Sequence, residues 1–274
     1  MNSRYVINAK GEKESFSRKK VYRSAKKAGA SNSIAKEITE SIERSSYPGI
    51  KTSEIFKKVR DELIKKELRS GLRFSLKEAM RKLGPTGFQF EKYIAEIFSE
   101  GGFKVKTNQN VSGFCGLSYE IDFTAEKEDV LFFGECKYRN SAGGKVHLDE
   151  ALSNYARFLD ISKKNSVKKV ENILVTNTKF TSNVIRYSKC VGMKLLGWGY
   201  PKKEGLEYLI ESQKLYPITI LPSLKSNTAS ILVQRKKMLA KDILNLDVKR
   251  FSRKAHISSN KLKALVKEAR ILLG

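Results

Sequence analysis

The chain has 274 residues, enough for two or three domains, and 40% of them are hydrophobic, which excludes a wholly disordered polypeptide. Its 54 Lys and Arg against 29 Asp and Glu give a net charge of +25. No apolar run approaches the roughly 18 residues of a membrane span, no secretory signal opens the chain, and three scattered cysteines form no disulfide framework. A cytoplasmic protein with no membrane partner is expected. Only His147 and His256 are available, so a zinc site of histidine and cysteine is not expected.

The charge is uneven. Residues 1–85 carry 22 basic and 10 acidic side chains, residues 86–212 carry 18 and 16, and residues 213–274 carry 14 and 3. Cationic ends point to a polyanion, because basic groups on a phosphate backbone release its counterions. In the first segment a short strand at Tyr5-Val6-Ile7 precedes three helices. One is capped by Ser17 and stops at Gly29, one places Ile34, Ile38 and Ile42 on a face, and one after Thr52 places Ile55, Val59 and Leu63 likewise. Ser75 and Glu78 form a capping-box pattern before a short helix. Gly84-Pro85-Thr86-Gly87 marks the first domain boundary.

The middle segment changes character. A helix from about Phe90 to Glu100 ends at Gly101-Gly102, and strands are predicted over 103–107, 119–124 and 130–138. A helix with Leu148, Leu152, Tyr155 and Leu159 follows, then a strand over 172–176, a helix from Thr181 and a strand over 194–198. The order αβββαβαβ predicts a mixed α/β domain over 86–212. Residues 213–274 read as a helical, basic third unit, and no internal repeat stands out along the chain.

The stretch from Tyr119 to Arg139 carries the chemistry. A simple hairpin turning at Glu128-Asp129 pairs residues whose numbers sum to 257, which sets Asp122 opposite Glu135 with Cβ atoms roughly 5 Å apart. Two carboxylates so placed repel, and one takes up a proton unless a cation lies between them. Lys137 shares the face of Glu135 by strand alternation, while Cys136 points to the opposite face as a small core residue. Hard oxygen ligands with a lysine suit Mg²⁺ and phosphate chemistry. The competing reading is a solvated, charged hairpin face, against which stands the apolar run Val130-Leu131-Phe132-Phe133. Glu91 falls with Ile94 and Phe98 on the inward stripe of the preceding helix, where a carboxylate needs a partner.

These residues resemble the PD-(D/E)XK nuclease superfamily: Glu91, then Glu120-Ile121-Asp122, then Glu135-Cys136-Lys137, within an αβββαβ order. Val175-Thr176-Asn177, Phe180-Thr181 and Leu195-Leu196-Gly197-Trp198 are similar to the Mrr-type restriction endonuclease branch. The resemblance implies a restriction-endonuclease-like α/β core with an αβββαβ mixed sheet, flanked by two mainly helical domains. It implies catalytic roles for Glu91, Asp122, Glu135 and Lys137, with Asp122 and Glu135 holding Mg²⁺. Many Mrr-type enzymes have Gln where this chain has Glu135.

Residues 1–85 resemble an ATP-cone, on Val6-Ile7-Asn8-Ala9-Lys10-Gly11, Phe16-Ser17-Arg18-Lys19-Lys20-Val21 and Gly49-Ile50-Lys51-Thr52. The resemblance implies ATP or dATP as an effector, with Lys20, Arg18 and Lys19 toward its phosphates, although Asn8 and Ala9 stand where the family usually has Lys and Arg. A basic helical domain that keeps the cone fold without binding nucleotide is the alternative. Residues 213–274 are similar to a degenerate helix-hairpin-helix pair, on Ile218 to Leu224, Ala240 to Leu244 and Ile257 to Leu262, with Ser223 and Lys225 where glycine is usual. Lys225, Arg235, Lys236, Lys237, Arg250, Arg253 and Lys254 are the candidate grips on a DNA backbone. A packing or dimerisation tail is the alternative there.

The sequence thus leads to a Mg²⁺-dependent endonuclease acting on double-stranded DNA, of restriction or repair type, with nucleotide as its effector. Cutting both strands calls for two active sites, which is compatible with a homodimer. The alternative is a catalytically inactive, nucleotide-responsive DNA-binding protein. No aromatic sheet surface supports an RNA-directed module.

Overall fold

The computed structural model describes residues 5–83, 88–141, 143–164 and 169–274. The boundary expected at residues 84–87 lies outside them. The chain divides into two compact units, one made of Met1–Ala79 with Tyr216–Gly274 and the other of Met80–Leu215. The two cationic ends, read from the sequence as separate domains, therefore share one unit.

In that unit β1 (Tyr5–Ile7) pairs antiparallel with β2 (Lys13–Ser15) and parallel with β3 (Ile50–Lys51). Helices α1 (Arg18–Lys27), α2 (Asn32–Arg44), α3 (Thr52–Lys66) and α4 (Leu68–Phe74) pack around them. Ser17 Oγ accepts the Lys20 N–H at 3.2 Å and Ser31 Oγ the Ile34 N–H at 3.2 Å, so each first turn has a partner for one of its free amides. Ala25, Ala35, Ile38, Ile42, Val59 and Leu63 form the core, following the four-residue spacing. α5 (Leu76–Arg81) follows. Its expected capping box is not what these side chains do: the Ser75 hydroxyl donates to the Gly71 carbonyl at 2.9 Å, and the Glu78 carboxylate accepts from Arg60.

The second unit begins with α6 (Phe88–Glu100), whose Phe90, Tyr93, Ile94 and Ile97 are buried. β4 (Lys104–Ser112), β5 (Ser118–Lys127) and β6 (Val130–Lys137) form an antiparallel meander. β7 (Lys145–Val146) and α7 (Leu148–Lys164) lead to β8 (Lys169–Thr176), which lies parallel to β6. β9 (Lys179–Phe180) pairs with β7, and α8 (Ser182–Val191) leads to β10 (Lys194–Leu196), parallel to β8. The sheet order is β10-β8-β6-β5-β4. β8 reads Ile173-Leu174-Val175-Thr176 and is buried along that run, as a parallel strand with neighbours on both sides must be. α9 (Leu206–Ser212) closes the unit.

The remaining part of the first unit repeats itself. A 3-10 turn at Ile218–Ile220 precedes α10 (Ser226–Gln234), and a second at Ala240–Ile243 precedes α11 (Val248–Ala255). Ile218 to Ala240 and Ser226 to Val248 are both steps of 22 residues. Pro217 and Leu239, also 22 apart, form the antiparallel bridge between the copies. This repeat escaped the sequence reading because it is carried by backbone geometry, not by like side chains. α12 (Ser259–Leu273) packs on α4, and the Thr219 hydroxyl donates to the Ala79 carbonyl at 2.9 Å, joining the ends of the chain. Among the described residues no helix is long and apolar enough to cross a membrane.

Candidate functional site

The hairpin of β5 and β6 has the register read from its sequence. Phe123 lies opposite Gly134 and Lys127 opposite Val130, each pair summing to 257. The ladder stops there, so Asp122 and Glu135 are not a ladder pair. On the other side the β4–β5 ladder skips Asn108 and Asp122, and Asn108 has a left-handed φ of 52°. Ile121 packs with Phe133 and Ile161 in the α7 layer, whereas the Phe123 ring packs at a tilt against Phe98 of α6. Residues two apart on a regular strand share a face, so the strand turns over at Asp122. The simple same-face alternation expected for Asp122 and Glu135 is corrected accordingly. Gly134 permits this packing, since a Cβ there would lie 2.2 Å from the Phe123 ring.

The acids nevertheless converge electrostatically. The Asp122 carboxylate accepts the Cys136 N–H at 2.6 Å, yet burial and the charge of Glu135 raise its pKa to about 7. Glu91 is half-buried, and its pKa is raised by burial and then by the charges of Glu135 and Glu120. Glu135 is 6% exposed. Its Oε1 receives Lys137 Nζ at 2.5 Å and Arg157 Nη2 at 3.0 Å. Burial holds the Cys136 thiol far above its ordinary range, so it is no thiolate nucleophile.

Two participants escaped the sequence reading of the site. Glu120 belongs to the Glu120-Ile121-Asp122 motif, and its influence on Glu91 puts it in the acid field as well. Arg157 comes from α7, and its contact with Glu135 spans 22 residues of chain. Its Nε is buried without a hydrogen bond. An arginine set between the aromatic residues Tyr155 and Phe158 of this helix is the available signal.

The buried Glu135 carboxylate and the half-buried Asp122 beside it are hard oxygen donors of the kind a divalent cation takes. Asp122 Oδ1 and Glu135 Oε2 have no hydrogen-bond partner among the described residues. No group of three or more His, Cys, Asp or Glu is gathered in metal-holding geometry among those residues.

In the first unit a cleft open to solvent is lined by Phe16, Phe56 and Phe74, with Lys20 and Glu14 at its polar side. Phe56 and Phe74 stack at 4.7 Å, and Lys20 Nζ lies 3.0 Å from Glu14 Oε2. Of the three expected phosphate ligands, only Lys20 reaches the cleft. Arg18 pairs with Glu43 at 2.7 Å, and Lys19 is exposed outside the lining. Asn8 donates to Glu12 and Glu14, both at 2.8 Å.

The expected DNA grips fall in two places. Arg235 donates to the Lys254 carbonyl and lies over Phe251, which gathers it with Lys236, Arg253 and Lys254 at the C-terminal ends of α10 and α11. Lys225 is at the opposite end of α10, Arg250 is exposed on α11, and Lys237 is half-buried. At the first hairpin the Ser223 N–H and hydroxyl both donate to Glu268, at 3.2 and 2.5 Å. At the second, Asp247 caps α11 through the Arg250 N–H. Carboxylates thus accept the free backbone N–H groups at both turns.

Residues 4–82 match the ATP cone domain, and residues 216–273 match the AF1548-like, C-terminal domain. An uncharacterized protein of Archaeoglobus fulgidus is 37% identical over 181 residues, 66% of this chain and 100% of that protein. The chain belongs to the AF1548-like family. A crystal structure titled as AF1548, a protein of unknown function, is 37% identical and covers 67% of this chain and 95% of its own, with a TM-score of 0.58. In this AF1548-like chain the ATP cone contains the apolar cleft with Lys20, and the family's C-terminal domain contains the 22-residue repeat.

Proposed function

We propose that this protein is a divalent-metal-dependent DNA endonuclease with a restriction-endonuclease-like core, responsive to nucleotide through its ATP cone. The observation that carries the reading is the convergence of Asp122, Glu135 and Lys137 where the β5 strand turns over, with Glu91 in the same field. Asp122 and Glu135 are the residues that would hold Mg²⁺. The metal would supply Lewis-acid activation of water and neutralise phosphate charge. Lys137 orients the attacking water and opposes the charge that develops on the pentavalent phosphate. Arg157 holds Glu135 in place. The net of +11 over residues 213–274 attracts the duplex without reading its sequence. The second reading, a nucleotide-responsive DNA-binding protein without catalysis, is favoured by Lys137 and Arg157 both neutralising Glu135.

The ATP cone supports a nucleotide effector, and the Phe16, Phe56 and Phe74 side of the cleft suits the flat face of a base. Cleavage of an end-labelled duplex with Mg²⁺ tests the enzyme reading, beside Glu135→Gln and Lys137→Ala. Wild type cuts, and both variants lose about a hundredfold or more in rate while binding the duplex equally. A wild type that binds but does not cut with Mg²⁺ or Mn²⁺ returns the second reading.

A further inference from the structure

The outward face of α7 is unlike that of a solvated helix. Ala151, Asn154 and Ile161 are its buried residues. On the opposite side Asp149, Leu152, Ala156, Leu159 and Lys163 are all exposed, and their spacing of three, four, three and four residues is a heptad seam. Leu152 and Leu159 are among the large exposed hydrophobics, at 44% and 43%. The loop between β4 and β5 extends this apolar face. Its Phe114 and Leu117 are 67% and 57% exposed. The Phe114 N–H donates to the Asp160 carbonyl at 3.0 Å, the Cys115 N–H to Asp160 Oδ1 at 2.9 Å, and Lys163 lies over the Phe114 ring.

We propose that this face is a homodimer interface, in which α7 packs antiparallel against α7 of a second copy about a two-fold axis at Ala156. The seam is self-complementary. Asp149 and Lys163 each lie seven residues from Ala156, so an antiparallel copy sets Asp149 beside the partner's Lys163, and the reverse, at both ends. No described residue pairs with the Asp149 carboxylate within the chain. Ala156 at the centre lets the helices approach closely, and Leu152 and Leu159 interdigitate with their counterparts. A two-fold interface makes each contact twice, which is why an acid–small–base order suits a second copy better than an unrelated helix. The inference stands on this face alone and does not depend on the nuclease reading.

Sedimentation of the full chain reads the outcome. Wild type sediments as a dimer. Ala156→Glu, which sets two carboxylates against each other on the axis, gives a monomer with an unchanged circular-dichroism spectrum and a Tm that no longer depends on protein concentration. Asp149→Lys and Lys163→Asp each weaken dimerisation by about tenfold, since each replaces two ion pairs with two repulsions. Combining Asp149→Lys with Lys163→Asp restores it. A monomeric wild type overturns the proposal, as does a dimer indifferent to Ala156→Glu or a double variant no tighter than the singles.

Discussion

At Asp122 burial and the neighbouring Glu135 work against ionisation, and the Cys136 N–H opposes them only in part. With a folded pKa of about 7 against an ordinary 3.8, the metal-free folded state binds the extra proton between those values. Stability without metal therefore falls as pH rises from about 4 to about 7, then levels off. Asp122→Asn removes this dependence. In EDTA its Tm should exceed that of wild type by several degrees at pH 8, with the gap closing at pH 4; an equal gap at both pH values would show that burial does not govern this group. Arg157 makes a second residue-scale claim. Arg157→Ala leaves a buried carboxylate with one cation in place of two, at a cost of about 1–3 kcal/mol in urea titrations. Combining it with Glu135→Gln should recover most of that loss. Arg157 was hard to read in the sequence because a helix residue's partner on a distant strand leaves no local pattern. Asp122 and Glu135 stand out in the sequence because they are acids beside the apolar run Val130 to Phe133, though the hairpin pairing expected of them stops one step short, at Phe123 and Gly134.

Among the elements, the β5–β6 hairpin was the most readable. Its turn at Glu128-Asp129 and its alternation fix one register, and Glu128 takes the positive φ of 54° that the turn requires. The reversal of β5 at Asp122 was not readable, because it comes from two layers competing for Ile121 and Phe123. Gly134→Ala tests that packing. A methyl driven into the Phe123 ring should destabilise the protein by about 2–4 kcal/mol in urea, and Phe123→Leu should relieve part of the loss. Ser75 shows the limit of cap motifs, since its hydroxyl finds the Gly71 carbonyl behind it. The 22-residue repeat lay deeper still: two 3-10 turns and helices related by a backbone bridge tolerate almost any surface side chain.

At the scale of the whole molecule, composition correctly located the charge at both ends, but it could not reveal that those ends share one compact unit. Contacts such as Thr219 to Ala79 lie 140 residues apart and leave no local signal. The ATP cone leads to a measurable expectation. ATP or dATP should raise the Tm of wild type, and Phe56→Ala, which opens the stacked wall of the cleft, should abolish the rise. Lys20→Ala should weaken it less, because Glu14 already partly neutralises Lys20. An undiminished shift in Phe56→Ala would place the nucleotide elsewhere.

The central claim is that Asp122, Glu135 and Lys137 hydrolyse DNA. The most direct measurement is cleavage of supercoiled plasmid by the full chain with Mg²⁺, beside Asp122→Ala, in methylated and unmethylated preparations. The account predicts nicking or linearisation by wild type that is lost in Asp122→Ala, while both proteins shift the plasmid equally in binding gels. Intact plasmid with wild type in every preparation, or equal cutting by the variant, would contradict it.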